Sequence, residues 1–239
     1  MVKKDIFDVI VLTGRPAAGK SEVIDFLKKV DEKERRKKYH IGPFEEIDDF
    51  IYVWEKFEED EIFSKYGKPR LYTDEKLYFK DDFFWTFLIE KINIAFSKKI
   101  RKDPELKDKT IIIEFSRGGE NGYRNAFSTL SDEILKRAGI VYIKVSYEES
   151  LRKNRRRYRP EEADSILYHS LPDEKMEYYY KIDDWDKLAT ELDGYIEIKG
   201  YNVPYAVLVN EPEVTDDPKK LAPSLEDLFN RLWKRYIER

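Results

Sequence analysis

The sequence predicts an α/β fold, a parallel β-sheet with helices on both faces. Three observations predict it. Short, β-branched apolar runs at residues 6–12, 110–115 and 140–145 read as buried strands. The stretches after the first two carry apolar residues at helical spacing. A glycine-rich turn follows the first run at once, and alternation of this kind places ligands beyond the carboxyl ends of the strands.

The 239 residues, 41% hydrophobic and 39% charged, suit one domain (1–239) with an inserted lobe rather than a string of modules. Ten Gly and ten Pro are too few for collagen-like or linker-dominated chains. Forty-five basic against 49 acidic residues leave a net charge of -4, so any grip on phosphate must be local. The absence of Cys excludes disulfides, thiolate catalysis and Cys-ligated zinc. With only His40 and His169, a histidine metal site or a serine triad is not expected. No apolar run approaches the ~20 residues of a membrane helix. Asp5 and Asp8 interrupt what would be an export signal's core, so a cytoplasmic location is expected.

In chain order, the strand at 6–12 is followed by a helix from Ser21, whose inner face is Val23, Ile24, Phe26, Leu27 and Val30. The charged residues 31–38 read as that helix's solvated end, and 39–41, closed by Gly42-Pro43, as a short second strand. Residues 44–96 hold 15 of the chain's 35 aromatics and 14 acidic against 7 basic residues, which marks an inserted lobe at 44–100. Its Phe83, Phe84, Trp85, Phe87 and Leu88 read as lobe core. After the strand at 110–115, a helix carries Tyr123, Ala126, Phe127, Leu130, Ile134 and Leu135, with Gly139 as its C-cap before the strand at 140–145. Residues 195–199 and 203–209 flank Gly200-Tyr201-Asn202 as a hairpin or edge strands, and Pro204 favours an edge. The last helix shows Ser224 and Asp227 as a weak capping box ahead of Leu225, Leu228, Phe229, Leu232, Trp233 and Tyr236.

The chemistry-bearing pattern is Gly14-Arg15-Pro16-Ala17-Ala18-Gly19-Lys20-Ser21, a full match to G-x-x-x-x-G-K-[ST] between a predicted strand and a predicted helix. Such a loop turns backbone N–H groups inward around phosphates at a helix N-terminus. Its lysine reaches the β/γ oxygens and its hydroxyl ligates Mg²⁺.

On these residues the chain resembles the P-loop nucleoside triphosphatases. The later pieces look like their small-molecule and nucleotide kinase branch, similar to adenylate and gluconate kinases. The resemblance implies a three-layer P-loop kinase-like sheet with an inserted helical acceptor lobe and a basic lid (152–172). It implies ATP and Mg²⁺ as cofactors, a small-molecule acceptor as partner, and transfer of the γ-phosphoryl group to a hydroxyl or phosphate. Residues 14–22 would then bind nucleotide. Glu22 departs from the family, which usually carries a second hydroxyl there, so a carboxylate must turn away or repel. Glu114, at a strand end, would hold Mg²⁺ with Ser21 or orient the acceptor, and Arg117 would grip an acceptor phosphate. Asp48 or Asp49 would accept the acceptor's proton. Lid arginines Arg152, Arg155, Arg156 and Arg159, spaced by three or four, would cover the γ-phosphate, with Arg152 and Arg156 as the catalytic pair. The base end would lie near Asn210-Glu211-Pro212.

The lobe's negative balance and single arginine, Arg70, favour an acceptor with a neutral hydroxyl or a cationic group. Two rival readings are a nucleotide-dependent switch, whose basic segment docks a partner, and a nucleic-acid end kinase. The acidic total and the shortness of the basic run weigh against nucleic acid.

Overall fold

The computed structural model describes residues 5–104, 106, 108–157 and 171–239. Its six strands are β1 (Val9–Gly14), β2 (Phe44–Asp48), β3 (Thr110–Phe115), β4 (Ala138–Lys144), β5 (Asp193–Ile198) and β6 (Tyr201–Val209). They form one sheet in the order β2-β3-β1-β4-β6-β5, parallel except for β5 against β6. The P-loop strand is central, and the carboxyl ends of β1, β2 and β3 meet on one edge of the sheet: Asp48 pairs with Glu114, and Glu114 with Leu12.

Alternate side chains of β1 leave on opposite faces, as strand geometry requires. Val9 and Val11 enter one core with Ile89, Ile92 and Phe96 of α4 (Phe83–Lys102), Phe127 of α5 (Gly122–Thr129) and Trp185 of α9 (Trp185–Leu188). Ile10 and Leu12 enter the other, with Val23 and Leu27 of α1 (Lys20–Lys29), Tyr39 of α2 (Glu32–Tyr39) and Leu225, Leu228, Phe229 and Leu232 of α10 (Pro218–Glu238). This is the expected three-layer α/β architecture. Among the described residues, no helix is long and apolar enough to cross a membrane.

Several local expectations change. The charged stretch after α1 is a separate helix, because Asp31 caps α2 by accepting the N–H groups of Lys33 (3.0 Å) and Glu34 (3.4 Å). Tyr39 ends α2, and the second strand lies at Phe44–Asp48, so the sheet takes the first residues assigned to the lobe. The helix expected through Leu135 breaks at Ser131, which caps the short α6 (Asp132–Leu135). Gly139 lies inside β4, beneath Leu232, rather than at a helix end. Pro204 is not on an edge strand, since β6 runs between β4 and β5; its missing N–H is tolerated because the β4 ladder begins one residue later, at Tyr205. The last helix begins at Pro218 with Asp217 as cap, and Ser224 donates instead to the Lys220 carbonyl within it.

The lobe consists of α3 (Phe50–Lys65), residues 66–82, and the first turns of α4. Buried Asp60 organises the connection, accepting from the N–H groups of Leu71 (2.6 Å) and Thr73 (2.7 Å) and from the Thr73 hydroxyl (2.7 Å). Phe79 stacks on Phe84 and meets Trp85 edge-on, so those two form lobe core, whereas Phe83 is exposed. The expected lid (152–172) is described over the end of α7 (Tyr147–Arg157) and at residues 171–172, ahead of α8 (Asp173–Tyr180); its Arg159 and His169 lie outside the described residues.

Candidate functional site

The loop from Gly14 to Lys20 joins β1 to α1 with Ala17 (φ 55°) and Gly19 (φ 117°) in left-handed conformations, and the Ala18 N–H donates to the Arg15 carbonyl (3.2 Å) within it. A side chain at Gly19 would strike Asn210 and Thr215, 2.8 Å away, so this position is closed to any other residue. Asn210 braces the loop from behind. Its amide donates to the Ala18 carbonyl (2.7 Å) and the Thr215 hydroxyl (2.8 Å), and its oxygen accepts from Val214 N–H (2.7 Å). The residue expected near a nucleotide base is thus a strut for the phosphate loop.

Lys20 is buried at the loop's mouth. Its ammonium donates to Ser116 Oγ (2.7 Å) and the Arg15 carbonyl (3.3 Å) and lies 3.8 Å from Glu114 Oε1. Burial lowers its pKa, and the Glu114 charge opposes that shift. Across the strand pairing, Asp48 accepts from Phe50 N–H (2.9 Å) at the start of α3. Burial, then repulsion from Glu114 and Asp49, pushes its carboxyl up to about 7. Burial also raises Glu114, against the pull of Lys20. The site therefore holds more carboxylate than its lysine balances.

Asp49 and Arg117 are withdrawn from this cluster into a buried pair, Arg117 Nη1 donating to Asp49 Oδ2 at 2.6 Å. The guanidinium also donates to the Ser116 carbonyl (2.6 Å) and lies over the rings of Phe115 (5.1 Å) and Trp85 (5.2 Å). Asp49 thus meets the Arg117 charge, while the buried Arg117 Nε has no hydrogen-bond partner among the described residues. Arg15, inside the loop, is likewise occupied: it pairs with Asp183 and donates to the carbonyls of Tyr180 (3.2 Å) and Val145 (3.3 Å). The chain at Tyr179 packs so closely on Gly118 that a side chain there would meet the Tyr179 carbonyl at 2.1 Å. The C-terminal end of α8 is thereby fixed to the phosphate loop and to the loop after β3.

The basic helix is disposed differently from expectation. Arg152 (3.2 Å), Lys153 (3.1 Å) and Arg156 (2.9 Å) all converge on Glu213, in the loop after β6, and Arg155 pairs with Asp173 (2.7 Å). Arg157 instead turns to the phosphate loop, donating through Nη2 to both carboxylate oxygens of Glu22 at 2.7 and 2.9 Å. Its charge is felt by Lys20 and by Glu114. Glu22 neither turns away nor stands unopposed; it is the docking point of this arginine. Arg157 was visible in the sequence only as one member of a basic run. Its orientation depends on the phase of α7, where a step of one residue rotates a side chain by about 100°.

Ser21 is exposed at the first turn of α1, and it and Glu114 are hard oxygen donors of the kind Mg²⁺ prefers. Among the described residues no group of three acidic or histidine side chains forms a metal cage. The surplus of buried carboxylate beside Lys20 is the feature of this chain that a divalent cation would relieve.

No protein-family model matches the chain, and no curated protein matches it in sequence. Solved structures do resemble it. Chaetomium thermophilum Kti12 in complex with ADP-AlF3 is 13% identical over 95% of this chain and 98% of its own, with a TM-score of 0.50. APE1195 is 15% identical over 94% and 98%, at 0.44. An unliganded sugar kinase from Janibacter sp. HTCC2649 is 14% identical over 94% and 95%, at 0.43. The likeness to Kti12, together with the strand–loop–helix unit around Lys20, defines a P-loop kinase-like fold.

Proposed function

We propose that this chain is an ATP-dependent phosphotransferase that moves the γ-phosphoryl group of MgATP to a hydroxyl of a small molecule. The observation that carries the reading is the juxtaposition, at the carboxyl ends of β1, β2 and β3, of a buried phosphate-loop lysine with a carboxyl held near neutrality. A group with a pKa near the working pH is suited to take a proton. A neighbour of the same fold was solved with ADP-AlF3, which supports a nucleotide in the loop here.

In this mechanism residues 14–20 cradle the phosphates and Lys20 neutralises the γ-phosphoryl oxygens; Ser21 and Glu114 would hold the Mg²⁺ that accompanies the nucleotide, which would add positive charge against the phosphates. Asp48 takes the acceptor's O–H proton as the new O–P bond forms and the bond to the β-phosphate oxygen breaks, releasing ADP. Arg157 leaves Glu22 to meet the charge on the transferring group. Because Arg117 is matched by Asp49, a neutral hydroxyl acceptor fits better than a phosphate. Mass spectrometry of a pooled metabolite and nucleoside extract incubated with MgATP tests the reading. A phosphorylated product that forms with the native chain and not with Lys20→Ala is expected; its absence, with ATP bound, refutes the transferase.

The switch reading has one observation in its favour. Residues 210–215 brace the phosphate loop through Asn210 and hold α7 through Glu213, so loop and helix are mechanically joined. A partner whose affinity differs between the ATP and ADP states would favour it. The end-kinase reading is weakened by the pairing of Arg152, Arg155 and Arg156 with carboxylates.

A further inference from the structure

A cavity of about 520 Å³ lies between α4 and the paired strands β2 and β3, with Glu45 of β2 and its register partner Ile111 of β3 in its lining. Five lysines line it: Lys91, Lys98, Lys99 and Lys102 from α4, and Lys109 just ahead of β3. Residues 91, 98 and 102 recur at spacings of seven and four, which keeps them on one side of the helix. The cavity's carboxylates are Glu45 and Asp103. Glu45 is engaged by Lys99 (2.5 Å) and Lys109 (3.2 Å), and both hold its pKa below the usual carboxylate range. The Lys91 ammonium lies 5.0 Å from the centre of the Tyr52 ring. Lys98 and Lys102 are exposed and form no hydrogen bond or ion pair with any described residue.

The wall between the charges is apolar: Tyr52, Ile94, Ala95, Leu106 and Ile111. We propose that this cavity is a second anion site, which binds a small molecule carrying a diphosphate or several phosphates on a compact, partly apolar body. Its volume is that of a small-molecule site. Lysines act as point charges without the fork that reads a single carboxylate, so a lysine-only site selects for multiple negative charge. Lysines do guard open edge strands against pairing. That role accounts for Lys99 and Lys109, which bracket Glu45 on β2; Lys98 and Lys102 have no acidic partner among the described residues.

The test uses pyrophosphate as probe on the full chain, with Lys20→Ala in parallel to separate the phosphate loop. Acetic anhydride labelling read by mass spectrometry should show Lys98 and Lys102 shielded by pyrophosphate in both proteins, while Lys68 and Lys220 label unchanged. By calorimetry, Lys98→Ala with Lys102→Ala should weaken this binding about ten-fold, with the second, Lys20-dependent event intact. Both positions are exposed, so the fold is not at stake. Unchanged labelling of Lys98 and Lys102, or loss of all pyrophosphate binding in Lys20→Ala, overturns the proposal. Binding of an oligonucleotide with no binding of pyrophosphate overturns it as well, in favour of a polymer backbone.

Discussion

Asp48→Asn gives a test of the site's electrostatics that needs no substrate. The unfolded carboxyl ionises near 3.8, whereas the folded one keeps its proton to about 7. Between those values the folded state binds more protons than the unfolded chain, so Asp48 makes the protein less stable as pH rises. Each unit is worth about 1.4 kcal/mol, and roughly three units set a ceiling of about 4 kcal/mol. Asp48 titrates together with Glu114, Asp49 and Lys20, which places the observed figure below that ceiling. Asparagine keeps the oxygen that accepts from Phe50 N–H, so the substitution removes charge with little change of shape. Urea unfolding of the nucleotide-free proteins at pH 4 and pH 8 measures the effect. The Asn variant should match the native chain near pH 4 and exceed it at pH 8. A difference independent of pH, or an Asn variant less stable than the native chain at pH 8, refutes the reasoning. The same substitution should flatten a rate profile that otherwise rises through about pH 7 as Asp48 ionises.

Arg157→Ala should lower phosphoryl-transfer turnover by about 10³-fold, while Arg156→Ala, whose guanidinium serves Glu213, should leave turnover within a few-fold; steady-state kinetics on the two variants decide between them. Glu22→Gln removes a half-exposed pair worth up to about 1 kcal/mol, so ATP affinity by calorimetry should rise by as much as five-fold, provided Arg157 must leave Glu22 to reach the phosphates. Asn210→Ala strips partners from the Ala18 carbonyl and Val214 N–H in a buried loop and should cost about 3 kcal/mol in urea unfolding, with ATP affinity reduced in parallel.

Much of the fold was legible because its signals are local. The strand at Thr110–Phe115 shows itself by composition, and the phosphate loop by glycines whose spacing permits one backbone path. Boundaries failed where a cap or a pairing partner decided them. Asp31 divides a charged run into two helices, and β2 is a strand because β3 lies beside it. Its sequence, Phe44-Glu45-Glu46-Ile47-Asp48, carries too little apolar character to announce an edge strand.

What the sequence by itself determined is the strand–loop–helix unit: a lysine and serine at fixed offsets from two glycines, at a helix start, set the local backbone geometry on which the proposed phosphate grip rests. Which side chains join that grip was decided by the tertiary structure. The register of β2 on β3 sets Asp48 beside Glu114, the burial of that pair raises their pKa values, and the phase of α7 sends Arg157, rather than Arg152 or Arg156, to the loop. Arg117, an attractive anion ligand in the sequence, is paired through Nη1 with a carboxylate 68 positions away. Charge and residue type are properties of the chain, but the partner that meets each charge, and the water excluded around it, exist only once the chain has folded.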